Sequence, residues 1–339
     1  MKKKLIFSIC ILLVTGFLLS FMQMLVMPKY MTASRDGALI AEYYREEPDH
    51  DVVFIGDCEV YETFVPAVLW EKYGISSYVR GSAQQLVWQS YYLLEDALRY
   101  ETPKAVVFNV LALKYGTPQR EAYNRMTLEG MKWSSSKINA IRASMTDEES
   151  MLDYIFPLLR YHSRITQLEK QDFQYIFGSP TVSHSGYLMK KGIVPMTDEP
   201  NEGKELLDYT LPETSMEYLD MMRELCAEKG IELILVKAPT NSWGFWWYDE
   251  WDEQICDYAE NNGLAYYNLI PAAEEIGLDM TTDTYDAGMH LNVYGAEKTT
   301  EYFGRILAER HGLASPEHTE AEISAWAERL DRYYKERNG

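Results

Sequence analysis

The chain has 339 residues, and 32 Lys or Arg against 52 Asp or Glu give it a formal charge of −20. A surface this acidic repels phosphate backbones, which argues against nucleic acid as a partner, and a 47% hydrophobic content is too high for a disordered chain. Four scattered cysteines are too few for a disulfide framework or a zinc ribbon, and neither a metal nor a cofactor is expected.

Lys2, Lys3 and Lys4 precede an uncharged apolar run from Leu5 to Met27, closed by Pro28 and Lys29. At a rise of about 1.5 Å per residue, a helix of that length crosses a hydrocarbon core of about 30 Å. A cleaved signal peptide has a shorter apolar centre followed by a small-x-small site. Here Met22 to Val26 carries the apolar stretch on, so residues 1–30 are expected to be an uncleaved signal anchor. The basic flank favours a cytoplasmic amino terminus, which predicts a single-pass protein of the cell membrane with its bulk outside.

Beyond the anchor, strands and helices alternate. Asp51 to Gly56, Ile75 to Val79, Ala105 to Leu111, Ile231 to Lys237 and Leu264 to Leu269 read as five short apolar strands. Helical spacing covers Pro66 to Tyr73, Leu86 to Tyr100 and residues 213–229, 250–262 and 293–311. Single helices between strands predict an α/β fold, with a parallel sheet covered on both faces and its sites at the carboxyl ends of the strands. The stretch of about 117–200 fits no simple crossover. It is expected to be a partly helical insertion over the carboxyl edge, acting as a lid or docking surface. The α/β domain then spans 31–315, and 316–339 forms a charged helix expected to be a solvated cap.

Two strand ends carry the chemistry. In Gly56-Asp57-Cys58-Glu59, the thiol lies in the turn before a helix, where backbone N–H groups favour a thiolate or an oxyanion. In Asp283-Thr-Tyr-Asp286-Ala-Gly-Met-His290, a carboxylate and an imidazole share one loop, so the carboxylate can orient the ring toward a nucleophile elsewhere. Asp57 is expected to shape its turn, while Glu59 is either a surface charge or a site carboxylate. Lys237, at the end of the fourth strand, is placed to hold an anionic substrate group. Trp243, Trp246 and Trp247 beyond it are read either as loop packing or as a platform for sugar rings. Cys226 and Cys256 flank that strand, as two thiols or a conceivable disulfide.

Gly56-Asp57-Cys58 after the first strand, Gly81 after the second, and a late Asp…His resemble the SGNH (GDSL-type) hydrolase superfamily over roughly residues 45–115 and 230–310. With the anchor, Gly56-Asp-Cys-Glu59 and His290-Leu-x-x-x-Gly295 are also similar to the membrane-anchored branch around DltD, the D-alanyl transfer protein of teichoic-acid modification. Proteins of that branch work outside the cell beside membrane-bound O-acyltransferases. The resemblance implies a flavodoxin-like three-layer sandwich and acyl-ester chemistry on a cell-surface glycan or polymer, with a membrane-bound O-acyltransferase as partner. It also implies Cys58, His290 and Asp286 as a triad, with the N–H groups of Cys58 and Gly81, and Asn109, as oxyanion donors.

The chain departs from the family pattern in three places. Cys58 stands where the family has serine, and a thiol is a competent acyl acceptor that ionises more readily. The position three residues before His290 is Ala287, so the carboxylate is Asp286, with Gly288 absorbing the extra residue, or Asp283. Asn109 lies within a strand, where it can equally be a hydrogen-bonding core residue. A catalytically inactive binding or assembly subunit is the alternative, and the distance between the Cys58 sulfur and the His290 ring distinguishes the two.

Overall fold

The computed structural model describes residues 2–28, 35–178, 180–196, 204–240, 247–315 and 317–339. Five parallel strands, β1 (Val52–Gly56), β2 (Ser77–Gly81), β3 (Ala105–Asn109), β4 (Glu232–Lys237) and β5 (Ala265–Asn268), form one sheet in the order β2-β1-β3-β4-β5. This is the order of a flavodoxin-like doubly wound sheet, whose topological switch point lies between β1 and β3.

Alternation along the strands divides the core into two layers. Val53, Ile55, Val106, Phe108, Leu233 and Leu235 face one layer, with helices Val87–Ala97, Glu213–Lys229 and Asp249–Asn262 against them. Val52, Phe54, Val79, Val107, Ile234 and Val236 face the other, against Cys58–Thr63, Pro66–Tyr73 and Val293–Arg310. Burial on both faces explains why the strands read as unbroken apolar runs rather than as alternating ones.

The second strand begins two residues later than its apolar run suggests. Ile75 is used to close the preceding helix, its N–H donating to Leu69 O (3.3 Å), so pairing starts at Ser77. Arg80 then falls inside β2, fully buried. Its guanidinium donates to Leu93 O (2.7 Å), pairs with Asp96 (3.4 Å) and sits 4.0 Å over the Tyr43 ring. At the third strand, residues Val110–Lys114 turn into a 3-10 helix instead of extending it.

The helical part of the 117–200 region packs on the flank of the sheet, with Ser135–Ser144 against Val87–Ala97 and Glu121–Leu128 against Arg35–Glu42. Residues 183–196 then run as a strap, opened by a tight turn at Ser185–Gly186, that hydrogen-bonds to Val79, Tyr61, Thr284 and Ala287. Glu320–Asn338 is a packed buttress rather than a solvated cap, with Trp326 stacked on Trp70 (5.0 Å) and Tyr333 fully buried. All four cysteines are free; Cys226 is buried and Cys256 exposed, so no disulfide joins them. Lys2–Val26 is a continuous helix, long and apolar enough to cross a membrane.

Candidate active site

The site is assembled at the switch point. β1 ends at Gly56, and Asp57 caps the short helix Cys58–Thr63, its Oδ1 accepting from Glu59 N (3.1 Å). The chain must turn sharply here, and a Cβ on Gly56 would lie 2.4 Å from Val60 Cγ2, so glycine is required. Cys58 therefore occupies the first helical position, where its own N–H has no intrahelical acceptor.

The second half of the site comes from the loop before Val293–Arg310. Thr284 Oγ1 accepts from Gly288 N (2.8 Å) and donates to His290 O (2.8 Å), tying the two ends of the loop together. Ala287 and Gly288 are both left-handed (φ 61° and 95°), and this tight pair turns the loop back on itself. Asp286 consequently folds back on His290. Its Oδ1 accepts from His290 N (2.8 Å), and its Oδ2 lies 2.6 Å from His290 Nδ1. Asp283 faces away, paired with Lys298 (2.6 Å).

His290 Nε2 lies 3.2 Å from the Sγ of Cys58, 232 residues away in sequence, so the structure brings together a thiol, an imidazole and the carboxylate of Asp286. This is hydrogen-bonding reach for proton transfer between nucleophile and base. Burial and the Asp57 carboxylate push the Cys58 thiol up to about 11, although His290 favours the thiolate. Burial disfavours charge on His290, but its hydrogen bonds to Asp286 and Cys58 outweigh that and hold its pKa well above the ordinary histidine range. Burial likewise opposes the Asp286 carboxylate, and hydrogen bonds from His290 bring its pKa below the usual value.

Beneath the thiol lies a closed polar cluster. Lys237 Nζ donates to both Glu59 oxygens (2.8 Å each) and to Ala238 O (2.8 Å). Asn109 Nδ2 donates to Asp57 Oδ1 (3.2 Å) and Glu59 Oε2 (3.0 Å), and its Oδ1 accepts from Ala238 N (3.0 Å). This corrects three expectations. Lys237 is fully buried with all three donors engaged, so it does not reach a substrate anion. Glu59 is its internal partner rather than a surface charge or substrate contact. Asn109 has both amide hydrogens committed to carboxylates, which leaves none for an oxyanion. Asp57 is a buried cap, its pKa raised by burial and by the nearby Glu59 charge.

Gly81 ends β2 beside the turn, and a Cβ there would stand 3.1 Å from Gly56 O and 3.2 Å from Asp57 O. Trp247 is buried, with its Nε1 donating to Asp252 (3.2 Å), and borders a cavity of about 550 Å³ over the ends of β4 and β5. Thr240, on the same cavity, donates to Met289 O (3.1 Å) and so joins it to the histidine loop. Trp243 and Trp246 lie outside the described residues. Among the described residues no cluster of metal-ligating side chains occurs.

Sequence reasoning missed a second carboxylate at the ring. Glu62 Oε2 lies 3.9 Å from His290 Nδ1, accepts from Tyr285 OH (2.7 Å), and its Oε1 faces Lys190 Nζ (3.4 Å). The signal for Glu62 was present, because it stands four residues after Cys58 on the same helical face. Lys190 comes from the strap, and nothing local in the sequence announces it. Compared with known proteins, the chain matches no family model, and no curated protein is significantly similar to it.

Proposed function

We propose that the protein is a membrane-anchored acyl-ester hydrolase or acyltransferase of the SGNH type, acting outside the cell through a Cys58–His290–Asp286 triad. The observation that carries this reading is the chain of contacts from Cys58 Sγ to His290 Nε2 at 3.2 Å, and from His290 Nδ1 to Asp286 Oδ2 at 2.6 Å. In the form of the pair that has lost one proton, His290 carries the thiol proton away as sulfur attacks the acyl carbonyl, and Asp286 stabilises the imidazolium. The tetrahedral oxyanion forms beside the free N–H of Cys58 at the start of the helix. Collapse expels the alcohol, which receives the proton from His290 Nε2 and leaves a thioester on Cys58. Water or an acceptor hydroxyl then attacks the thioester, giving its proton to His290, and the thiolate leaves and is reprotonated.

Trp247, buried and bonded to Asp252, packs the loop rather than offering a ring face for sugars. A cell-surface glycan or polymer as acceptor, and a membrane-bound O-acyltransferase as acyl donor or partner, follow from the resemblance and the apolar amino-terminal helix. Turnover of acyl esters by the full chain in detergent tests the reading. Activity is expected to vanish in Cys58→Ala and to persist at a reduced level in Cys58→Ser. Equal turnover by wild type and Cys58→Ala would overturn it.

The alternative reading is a non-catalytic assembly subunit of an O-acyltransferase system. The raised thiol pKa favours it, since a thiol held protonated is a poor nucleophile near neutral pH.

A further inference from the structure

The apolar helix Lys2–Val26 does not end in isolation. Its last turns pack against three short pieces of the insertion, Pro157–Tyr161, His162–Gln167 and Lys170–Phe177. Leu25 and Val26 are buried there. Arg164 Nη1 donates to Val26 O (2.9 Å) while its Nη2 pairs with Asp172 (3.2 Å). An arginine that satisfies a terminal helix carbonyl, and is itself held by a carboxylate, fixes the insertion to the end of the helix.

Around that junction the insertion leaves large apolar side chains uncovered. Leu152, Phe156, Leu159, Phe173 and Phe177 are all exposed, Phe177 to 88%. The same stretch is electrically unlike the rest of the chain. Asp153, Glu169 and Asp172 are balanced by Arg160, Arg164 and Lys170, within a protein of net charge −20. A concentration of exposed aromatic and aliphatic side chains in one neutral stretch marks an interaction surface. Its position names the partner, because the surface adjoins the point where an apolar helix of membrane-spanning length ends. A cavity of about 610 Å³, walled by Met24 and Met27 from the helix and by Trp133, Tyr154 and Ile176 from the domain, opens at the same junction.

We infer that residues 151–177 form an interfacial platform that rests on the phospholipid bilayer entered by Lys2–Val26, with Phe156, Leu159, Phe173 and Phe177 dipping below the headgroups. The charge balance suits a zwitterionic lipid surface and needs no anionic lipid. The helix alone would leave the domain free to swivel about one tether. A second, apolar contact fixes its tilt and so the height and direction of the Cys58 site above the membrane. The inference rests on the spanning reading of Lys2–Val26.

The test places a photo-crosslinking benzoylphenylalanine, one position at a time, in the full chain reconstituted in phosphatidylcholine vesicles. Position 156 or 177 probes the platform, position 12 probes the span, and position 323, exposed on the carboxyl-terminal helix, is the control. Lipid adducts at 12, together with adducts at 156 and 177 about tenfold above those at 323, are the expected result. Adducts at 12 with only the control level at 156 and 177, or adducts there to a second copy of the chain, overturn the platform while leaving the span intact. Absence of lipid adducts at 12 overturns the span and the platform with it.

Discussion

Lys237 Nζ lies 2.8 Å from each carboxylate oxygen of Glu59, and both side chains are buried below the candidate nucleophile. Removing one partner strands the other charge in the core. Lys237→Met is therefore expected to lower stability by about 3–5 kcal/mol, while adding Glu59→Gln recovers much of that loss. Urea unfolding followed by tryptophan fluorescence measures both. A Lys237→Met protein as stable as wild type would show that the pair is not held as described.

The two candidate carboxylates of the histidine loop separate by assay. Asp286→Asn removes the acceptor for His290 Nδ1 and is expected to lower turnover by about 10³–10⁴ with the fold intact. Asp283→Asn breaks the partly buried contact to Lys298 and is expected to reduce stability while leaving most of the turnover per folded molecule. Steady-state kinetics beside thermal unfolding of the two variants checks the division. The reverse pattern would assign the orienting role to Asp283.

The resting thiol is held protonated by burial and by acidic neighbours, while His290 is held charged chiefly by Asp286. The reactive form has one proton fewer, so it accumulates as pH rises. Alkylation of Cys58 by iodoacetamide is accordingly expected to accelerate through the range above the ordinary thiol value of about 8.5, with no plateau at acidic pH. Peptide mass spectrometry of the labelled protein gives the rate at each pH. A rate constant flat from about pH 5 to 8 would instead indicate a preformed thiolate–imidazolium pair.

The layered fold was legible because each strand is an apolar run bounded by turn residues, and each crossover helix has one apolar face. That Cys58, His290 and Asp286 lie together was legible because Cys58 and His290 sit in short, chemically distinctive turns. What escaped the sequence is what burial does to charge. Arg80, just past the expected end of its strand, and Lys237, expected to be a ligand contact, both lie in the core, paired with Asp96 and Glu59 from other elements. Glu62 was overlooked because its role depends on Tyr285 and Lys190, from two separate segments. The strap gave no signal, since its backbone pairs with Val79, Tyr61 and Thr284 without a periodic pattern of its own.

That strap depends on one glycine. Gly186 has φ of +85°, and a Cβ there would lie 1.9 Å from Val79 O. Gly186→Ala is expected to cost about 1–3 kcal/mol and to loosen residues 183–196, including Lys190 beside Glu62. Hydrogen exchange of the full chain should show faster exchange at Leu188 and Val194, whose amides bond to Tyr61 O and Thr284 O. Unchanged protection at both amides would contradict this.

The central claim is tested most directly by trapping the acyl-enzyme. Full-length protein is mixed with an activated acyl ester, quenched in acid within the first turnovers, digested and analysed by mass spectrometry. The expected result is an acyl group on Cys58 that neutral hydroxylamine removes, and that His290→Ala forms about a hundredfold more slowly. Acylation of Cys58 at the same rate with and without the imidazole, or no acylation of Cys58 while ester is turned over, would contradict it.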